Sequence, residues 1–461
     1  MNLFKKETIC VQGLGFVGAA MAILVASANK RNRPIFDVYG LELSNKEGKK
    51  KIKKLNSGNF IVNTTDSILK KKIKLVKKYK NFYATSDKKI ISKSDIIICN
   101  INVDIKKKKL DCDFSSLKKA ILTISKNISQ DSLLIIESTL PPGTCEEFVF
   151  PLIKREFIKR KLNTSKILLA YSFERVMPGE NYFNSIKNNW RVYSANSDKA
   201  ASKCKNFYAQ IINTKKYKPI RLKSLREAEF CKILENTYRA VNIAFIDEWS
   251  RFAENIDVNM YEVIKAIKFR PTHSNIMSPG FGVGGYCLTK DLLFGSISNL
   301  KIFKEKKIDF PMTFLASNIN DKMPLASVNI LKKELGSLKG KKIAIFGVTY
   351  RENVGDCRYS PSTYFAKVLE KNGAEVFAYD PMINIWSEYK NINVSAMPNL
   401  NDMNALVLAV RHSSFTKLNF KKLLKFNSKL VILDTFNILT NKQIKDIKNK
   451  NLKIVFIGKP V

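Results

Sequence analysis

Residues 281 to 291 read FGVGGYCLTKD, with Cys287 close behind Gly282, Gly284 and Gly285, and with Asp291 four residues after it. A cysteine packed in a core gains nothing from glycines, which remove the side chains that would surround it. A thiol that a large group must reach does gain from them. The spacing predicts that CLTKD opens a helix whose first turn lowers the thiol pKa. It also sets Asp291 on the same helical face as Cys287, where a carboxylate can orient or deprotonate an attacking water. Lys232 and Asn236 form a second pair four residues apart, two donors able to stabilise an oxyanion. The whole chain of 461 residues has two histidines, His273 and His412. A histidine base or histidine metal cluster has little to work with, no metal site is expected, and lysine, cysteine and carboxylates are left to carry the chemistry.

These groups must be positioned by a larger frame. From residue 8 to about 215, short β-branched runs (TICVQGLG, FDVYGLEL, NFYAT, DIIICNINV, LLIIEST, KILLAYS, WRVYSA) alternate with longer helical ones, which implies a parallel, doubly wound sheet. Between about 225 and 325 the strand signals stop. REAEFCKILENTYRAVNIAFIDEWSRFAENI carries apolar residues at intervals of three and four with no internal Gly or Pro, so one helix of about eight turns is expected. The alternation then returns in KIAIFGV, AEVFAYDP, ALVLAV, LVILDT and KIVFIG. The expected fold class is α/β: two doubly wound Rossmann-like domains joined by a central helical domain with one long helix, divided as 1–215, 216–330 and 331–461.

In ICVQGLGFVGAAMA, Gly13, Gly15 and Gly18 fall as GxGxxG between a strand and a helix. The first two permit a tight turn and close approach to a pyrophosphate, and the third lets helix and strand pack closely. Strand two ends at Glu42, 24 residues past Gly18, where an acid holds the ribose hydroxyls and repels a 2′-phosphate. The cofactor expected is NAD.

The net charge is +40, which raises the possibility of a basic nucleic-acid-binding protein on an old dehydrogenase fold. The lysines, however, are spread through the whole chain, and no aromatic platform for single strands accompanies them, so no nucleic acid is expected as a partner. Eight cysteines without a CxxC pair read as reduced thiols. The stretch MNLFKKETICVQGLG passes straight into a strand pattern, and no apolar run approaches the roughly 18 residues of a membrane span. A cytoplasmic protein without membrane contact is expected.

The motifs GLGFVG, ESTLPPGT, SFERVMPG, KILENTYRAVNIAFIDE, GFGVGGYCLTKD and GVTYRENVGDCRYSP occur in that order. Together they make the chain resemble the nucleotide-sugar 6-dehydrogenases, the UDP-glucose and UDP-N-acetylhexosamine dehydrogenase superfamily, over essentially its full length. The resemblance implies oxidation of a sugar's primary alcohol to a carboxylate with two NAD per substrate. The residues account for this chemistry: an aldehyde cannot lose a hydride until a nucleophile has added to it, and Cys287 can form a thiohemiacetal, then a thioester that water releases.

By the same resemblance Lys232 and Asn236 sit beside the reacting carbon, Glu174 assists acid or base steps, and Thr139 links the cofactor to catalytic water. Tyr350, Arg351 and Arg358 would line the cleft where UDP and cofactor meet, Arg270 would reach the diphosphate at a homodimer, and the glycines 282, 284 and 285 would close on the sugar. Phe173 stands where the family commonly has proline, Asn102 where it has threonine, and Thr289 where it has proline. SFERVMPG favours a UDP-N-acetylhexosamine, whereas the lysine before Asp291 favours UDP-glucose; GDP-mannose is the third option. A two-electron β-hydroxyacid dehydrogenase would share the amino-terminal domain but would need no thiol.

Overall fold

The computed structural model describes residues 6–305, 308–424 and 429–460. Two compact units divide the chain: Met1–Glu235 with Leu293–Asp309, and Asn236–Leu292 with Phe310–Val461.

The first unit is built on strands β1 (Glu7–Gln12), β2 (Phe36–Leu41), β3 (Phe82–Thr85), β4 (Ile96–Cys99), β5 (Leu133–Ile136), β6 (Leu168–Tyr171), β7 (Val192–Ala195) and β8 (Ile220–Arg221). They lie in the order β8-β7-β6-β5-β4-β1-β2-β3. The segment 3-2-1-4-5-6 is the Rossmann order, and the chain reverses direction across the sheet between β1 and β4, where such sheets hold their ligands. Every residue of IIIC in β4 and LLII in β5 is buried, as expected of central strands covered on both faces. Helix α1 (Phe16–Ala26) is apolar all round, with Gly18 through Ala26 buried against the sheet.

One expectation fails at the edge. β7 pairs antiparallel with β6, through Ala170↔Ala195 and Tyr171↔Ser194, so the sheet is not wholly parallel. The connection between them holds a single helix, Tyr182–Lys187, of six residues. That is about 9 Å of rise, too short to carry the chain back along the sheet in the manner of a parallel crossover.

The long helix expected from the sequence is α2 (Leu225–Asn255), 31 residues. In the second unit, β9 (Lys342–Phe346), β10 (Glu375–Tyr379), β11 (Ala405–Leu408), β12 (Val431–Asp434) and β13 (Lys453–Phe456) form an all-parallel sheet ordered β10-β9-β11-β12-β13. This is the other common doubly wound order, with its reversal between β9 and β11. Helix α3 (Pro361–Lys371) starts on Ser360, whose side chain caps Ser362 N–H. Among the described residues no helix is long and apolar enough to cross a membrane, and no group of three or more His, Cys, Asp or Glu side chains could hold a metal ion.

Candidate active site

In the first unit, the turn after β1 is shaped by its glycines. Gly13 has φ +91°, and a Cβ there would lie 2.8 Å from Asn100 O. A Cβ on Gly18 would lie 2.0 Å from Gly13 O, so the helix presses directly on the turn. Gly15 differs: a Cβ there would meet nothing within 4 Å, and it caps α1 with no side chain over the free N–H groups. An open backbone cradle at an uncapped helix amino terminus fits a pyrophosphate.

Glu42, at the end of β2, accepts from Leu14 N–H at 3.0 Å and pairs with Lys51 at 3.1 Å. Its carboxylate therefore borders the same turn, where a ribose would lie. The residues present fit NAD. Gly15→Ala should melt at the wild-type temperature yet bind NAD at least about tenfold more weakly, since its methyl enters the cradle. Gly18→Ala should lower the melting temperature by several degrees, about 1 kcal/mol or more. Calorimetry and NAD titration on the two variants would check both.

Thr139 follows β5, half-buried, in the turn TLPPGT. That turn is held from α2: the buried Glu229 carboxylate accepts from Gly143 N–H at 2.6 Å and from Cys145 N–H at 2.8 Å. Burial pushes the Glu229 carboxyl up to about 8, against the pull of those bonds. Three residues further along α2, Lys232 is 6% exposed and donates to the Glu174 carbonyl oxygen at 2.9 Å, with its ammonium 5.4 Å from the Phe173 ring centroid. One of its three donors is thus engaged by a neutral carbonyl. Phe173, the residue in the usual proline's place, supplies the apolar platform. The Glu174 carboxylate turns back to accept from Val176 N–H.

Beneath these strand ends lies a pair that motif reading missed. Arg191 donates to Glu137 Oε1 at 2.8 Å and to Phe173 O at 3.3 Å, and both side chains are essentially inaccessible. It thereby ties the ends of β5 and β6 together, one carrying Thr139 and the other Glu174. Burial pushes the Glu137 carboxyl up to about 7, with Arg191 pulling down and Glu174 adding to the rise. The available signal was charge at the ends of otherwise apolar strands.

In the second unit, Cys287 is exposed. The expected helix does not begin there. Residues 286–290 form a turn in which Lys290 N–H and Asp291 N–H reach Cys287 O at 3.2 and 2.9 Å, and the 3₁₀ segment Asp291–Leu293 follows. The left-handed Gly285 (φ +81°) and the bond from Thr289 Oγ1 to Gly285 O set this turn. This turn stands where the start of the helix was expected, and the helical segment begins only at Asp291. The single turn still carries Asp291 back beside Cys287.

Asp291 is fully buried and doubly held: Asn236 Nδ2 donates to Oδ2 at 2.8 Å and Lys290 Nζ pairs with Oδ1 at 2.7 Å. Lys290 is buried, with its ammonium 4.9 Å from the Tyr286 ring centroid. The glycines make close approaches to protein. A Cβ on Gly282 would lie 2.7 Å from Pro361 Cβ, on Gly284 2.9 Å from Tyr350 Cβ, and on Gly285 2.7 Å from Tyr350 Cδ2. The Cys287 loop is therefore pressed onto Tyr350.

Arg351 lies 3.4 Å from Glu352. Arg358 is held by Asp356, Nε to Oδ1 at 3.0 Å and Nη2 to Oδ2 at 2.9 Å. Arg270 is exposed before the short 3₁₀ turn Pro271–His273, with no ion pair among the described residues. A further arginine escaped the sequence reading: Arg239, three residues after Asn236, is affected by both Arg351 and Cys287, and desolvation followed by the Arg351 charge lowers its pKa. Two guanidiniums that feel one another's charge suit an anionic ligand.

Three domains of the UDP-glucose/GDP-mannose dehydrogenase family match this chain: the NAD-binding domain over residues 7–212, the central domain over 226–322 and the UDP-binding domain over 344–441. A UDP-N-acetyl-D-mannosamine dehydrogenase of Methanocaldococcus jannaschii is 32% identical over 461 aligned positions, covering 98% of this chain and 96% of the relative. The structure of the UDP-D-ManNAc dehydrogenase of Pyrococcus horikoshii superposes with a TM-score of 0.81 at 27% identity, covering 98% of this chain and 99% of that one. An NDP-N-acetyl-D-galactosaminuronic acid dehydrogenase from Methanosarcina mazei superposes with a TM-score of 0.76 at 28% identity, covering 98% and 95%.

Proposed function

The chain belongs to the UDP-glucose/GDP-mannose dehydrogenase family and is an NAD-dependent nucleotide-sugar dehydrogenase, and from that premise we propose that it oxidises C6 of UDP-N-acetylmannosamine to the uronic acid in two successive steps. The observation that carries this reading is the turn joining the exposed thiol of Cys287 to the buried Asp291, itself bonded to Asn236. The sugar assignment draws on the names of the relatives above.

In this reading NAD, when bound at the Gly13–Gly18 turn, supplies the hydride acceptor for each step. Every other role falls to side chains of the chain. The C6 hydroxyl gives up its proton to Glu174 in the first oxidation, while the Lys232 ammonium stabilises the alkoxide. The aldehyde carbon then bonds to Cys287 Sγ; the carbonyl oxygen takes on charge that Lys232 and Asn236, as donors, can stabilise. Loss of the second hydride leaves a thioester. Asp291 orients the water, aided by Thr139, that adds to the acyl carbon and expels the thiolate, giving carboxylate and free Cys287. One water and two oxidised cofactors are consumed per sugar.

The family assignment also supports the division into a cofactor domain (1–215), a central domain (216–330) and a UDP-sugar domain (331–461). Arg270, Tyr350 and Arg351 would bind the nucleotide sugar, and Arg358 the cofactor. A homodimer is part of the proposal. Along α2, Phe245, Trp249 and Phe252 are 51%, 46% and 54% exposed on one stripe, continued just past the helix end by Ile256 at 52%, an apolar surface that a second copy would cover. A Trp249→Asp/Phe252→Asp variant should sediment as a monomer while the wild type sediments as a dimer.

UDP-glucose is the runner-up, on the strength of Lys290 before Asp291. Steady-state rates on UDP-N-acetylmannosamine, UDP-N-acetylglucosamine, UDP-N-acetylgalactosamine, UDP-glucose and GDP-mannose decide it. The proposal expects kcat/KM highest on the first by at least about tenfold, and a preference for UDP-glucose overturns it.

A further inference from the structure

His412, in the loop after β11, is fully buried in the second unit and takes no part in the chemistry above. Its ring nitrogens are engaged on both sides. Asn353 N–H donates to Nδ1 at 3.0 Å, which makes Nδ1 the unprotonated nitrogen and puts the ring proton on Nε2. Nε2 lies 3.1 Å from Thr349 Oγ1 and 3.2 Å from Asp380 Oδ2. Thr349 Oγ1 spends its own proton on Arg351 O at 3.1 Å, so it can accept from the ring. Asp380 Oδ2 also accepts from Val348 N–H and Thr349 N–H at 2.7 and 3.0 Å. Next to the histidine, Ser413 N–H and Oγ donate to Asn353 Oδ1 at 3.2 and 3.1 Å.

Residues 348–353 are thus wound around one imidazole, with Asn353 in the left-handed region at φ +58°. At the apex of that loop stand Tyr350 and Arg351. Tyr350 is the side chain on which Gly284 and Gly285 rest, and Gly285 is two residues from Cys287. A continuous set of contacts within this unit runs from His412 through the loop and Tyr350 to the glycine turn.

We infer that His412 is a positioning residue for the reaction: by holding loop 348–353 it fixes Tyr350 beneath the glycine turn, and so sets where the Cys287 thiol stands relative to the nucleotide sugar. The inference rests on the site proposed above. It requires the neutral ring with its proton on Nε2, a tautomer that asparagine can partly replace, since its Oδ1 can accept from Asn353 N–H, and that phenylalanine cannot.

The test compares His412→Phe, His412→Asn and Thr349→Val, each checked for folding by its melting curve. His412→Phe should lower kcat by about ten- to a hundredfold, the scale set by displacing a reacting group by an ångström or less. It should raise KM for the UDP-sugar, leave KM for NAD within about twofold, and change the iodoacetamide alkylation rate of Cys287. His412→Asn should recover a substantial part of kcat. If His412→Phe fails to fold, Thr349→Val, which deletes one hydroxyl, should show the same split between the two KM values in weaker form. Folded variants with kcat, both KM values and the alkylation rate all unchanged would overturn the inference, as would equal losses in His412→Phe and His412→Asn. Cys287→Ser run in parallel separates the two failures: if it retains full uronate formation the site reading itself falls, and if it is inactive while the His412 variants are normal only the positioning role falls.

Discussion

Cys287→Ser should lose uronate formation by at least about a thousandfold, the scale on which removal of a covalent nucleophile is felt. Serine is nearly isosteric, so folding and NAD binding should be unchanged, and the loss would report chemistry alone. A hydroxyl with an alcohol's pKa adds poorly to an aldehyde, and an ester is a worse acyl donor to water than a thioester. The first oxidation does not use sulfur and should survive in part. A trapping reagent for aldehydes should therefore capture the half-oxidised sugar from the variant, with at most one NADH formed per sugar. A two-electron dehydrogenase of the same general fold would be indifferent to the substitution.

Arg191→Met should destabilise the protein by about 3–5 kcal/mol, because it strands the Glu137 carboxylate in a site with no access to water. The effect has a signed pH dependence. Glu137 is raised from 4.5 to about 7 in the folded protein. Below pH 4.5 the carboxyl is protonated in both states and contributes no difference. Between 4.5 and 7 the folded state keeps a proton that the unfolded state has lost, so stability falls as pH rises, and above 7 it stays at its low value. Removing Arg191 takes away the one opposing charge, so the variant should approach wild-type stability near pH 5 and fall furthest behind above pH 7. Adding Glu137→Gln to Arg191→Met should flatten this dependence and recover most of the loss. Denaturant melts of the three proteins at pH 5 and pH 8 would check the pattern.

The cofactor turn was legible because its physics is local. Gly13, Gly15 and Gly18 sit between a strand and a helix that the apolar runs announce, and Glu42 ends the next strand. The 31-residue α2 was equally plain, since no Gly or Pro interrupts its periodicity. What stayed hidden depends on contacts distant in sequence or on one backbone angle. Arg191 and Glu137 are 54 residues apart and meet only once β5, β6 and β7 are ordered in the sheet. The antiparallel edge follows from the short helix of the preceding connection, which periodicity does not announce. At Cys287 the spacing of four to Asp291 does close a turn, through Asp291 N–H to Cys287 O. The left-handed Gly285 and the Thr289 bond, however, shape residues 286–290 as a turn, and the helical segment starts only at Asp291. Lys290 stood out in the sequence only by its place before Asp291, and its burial against Tyr286 and Asp291 appears only in the fold.

The central claim is that sulfur holds the half-oxidised sugar long enough for a second hydride to depart. The most direct measurement is the number of NADH formed per UDP-N-acetylmannosamine consumed at completion, with the product identified by mass. Two NADH and a uronic acid are predicted; one NADH and a free aldehyde from the wild-type enzyme would contradict it.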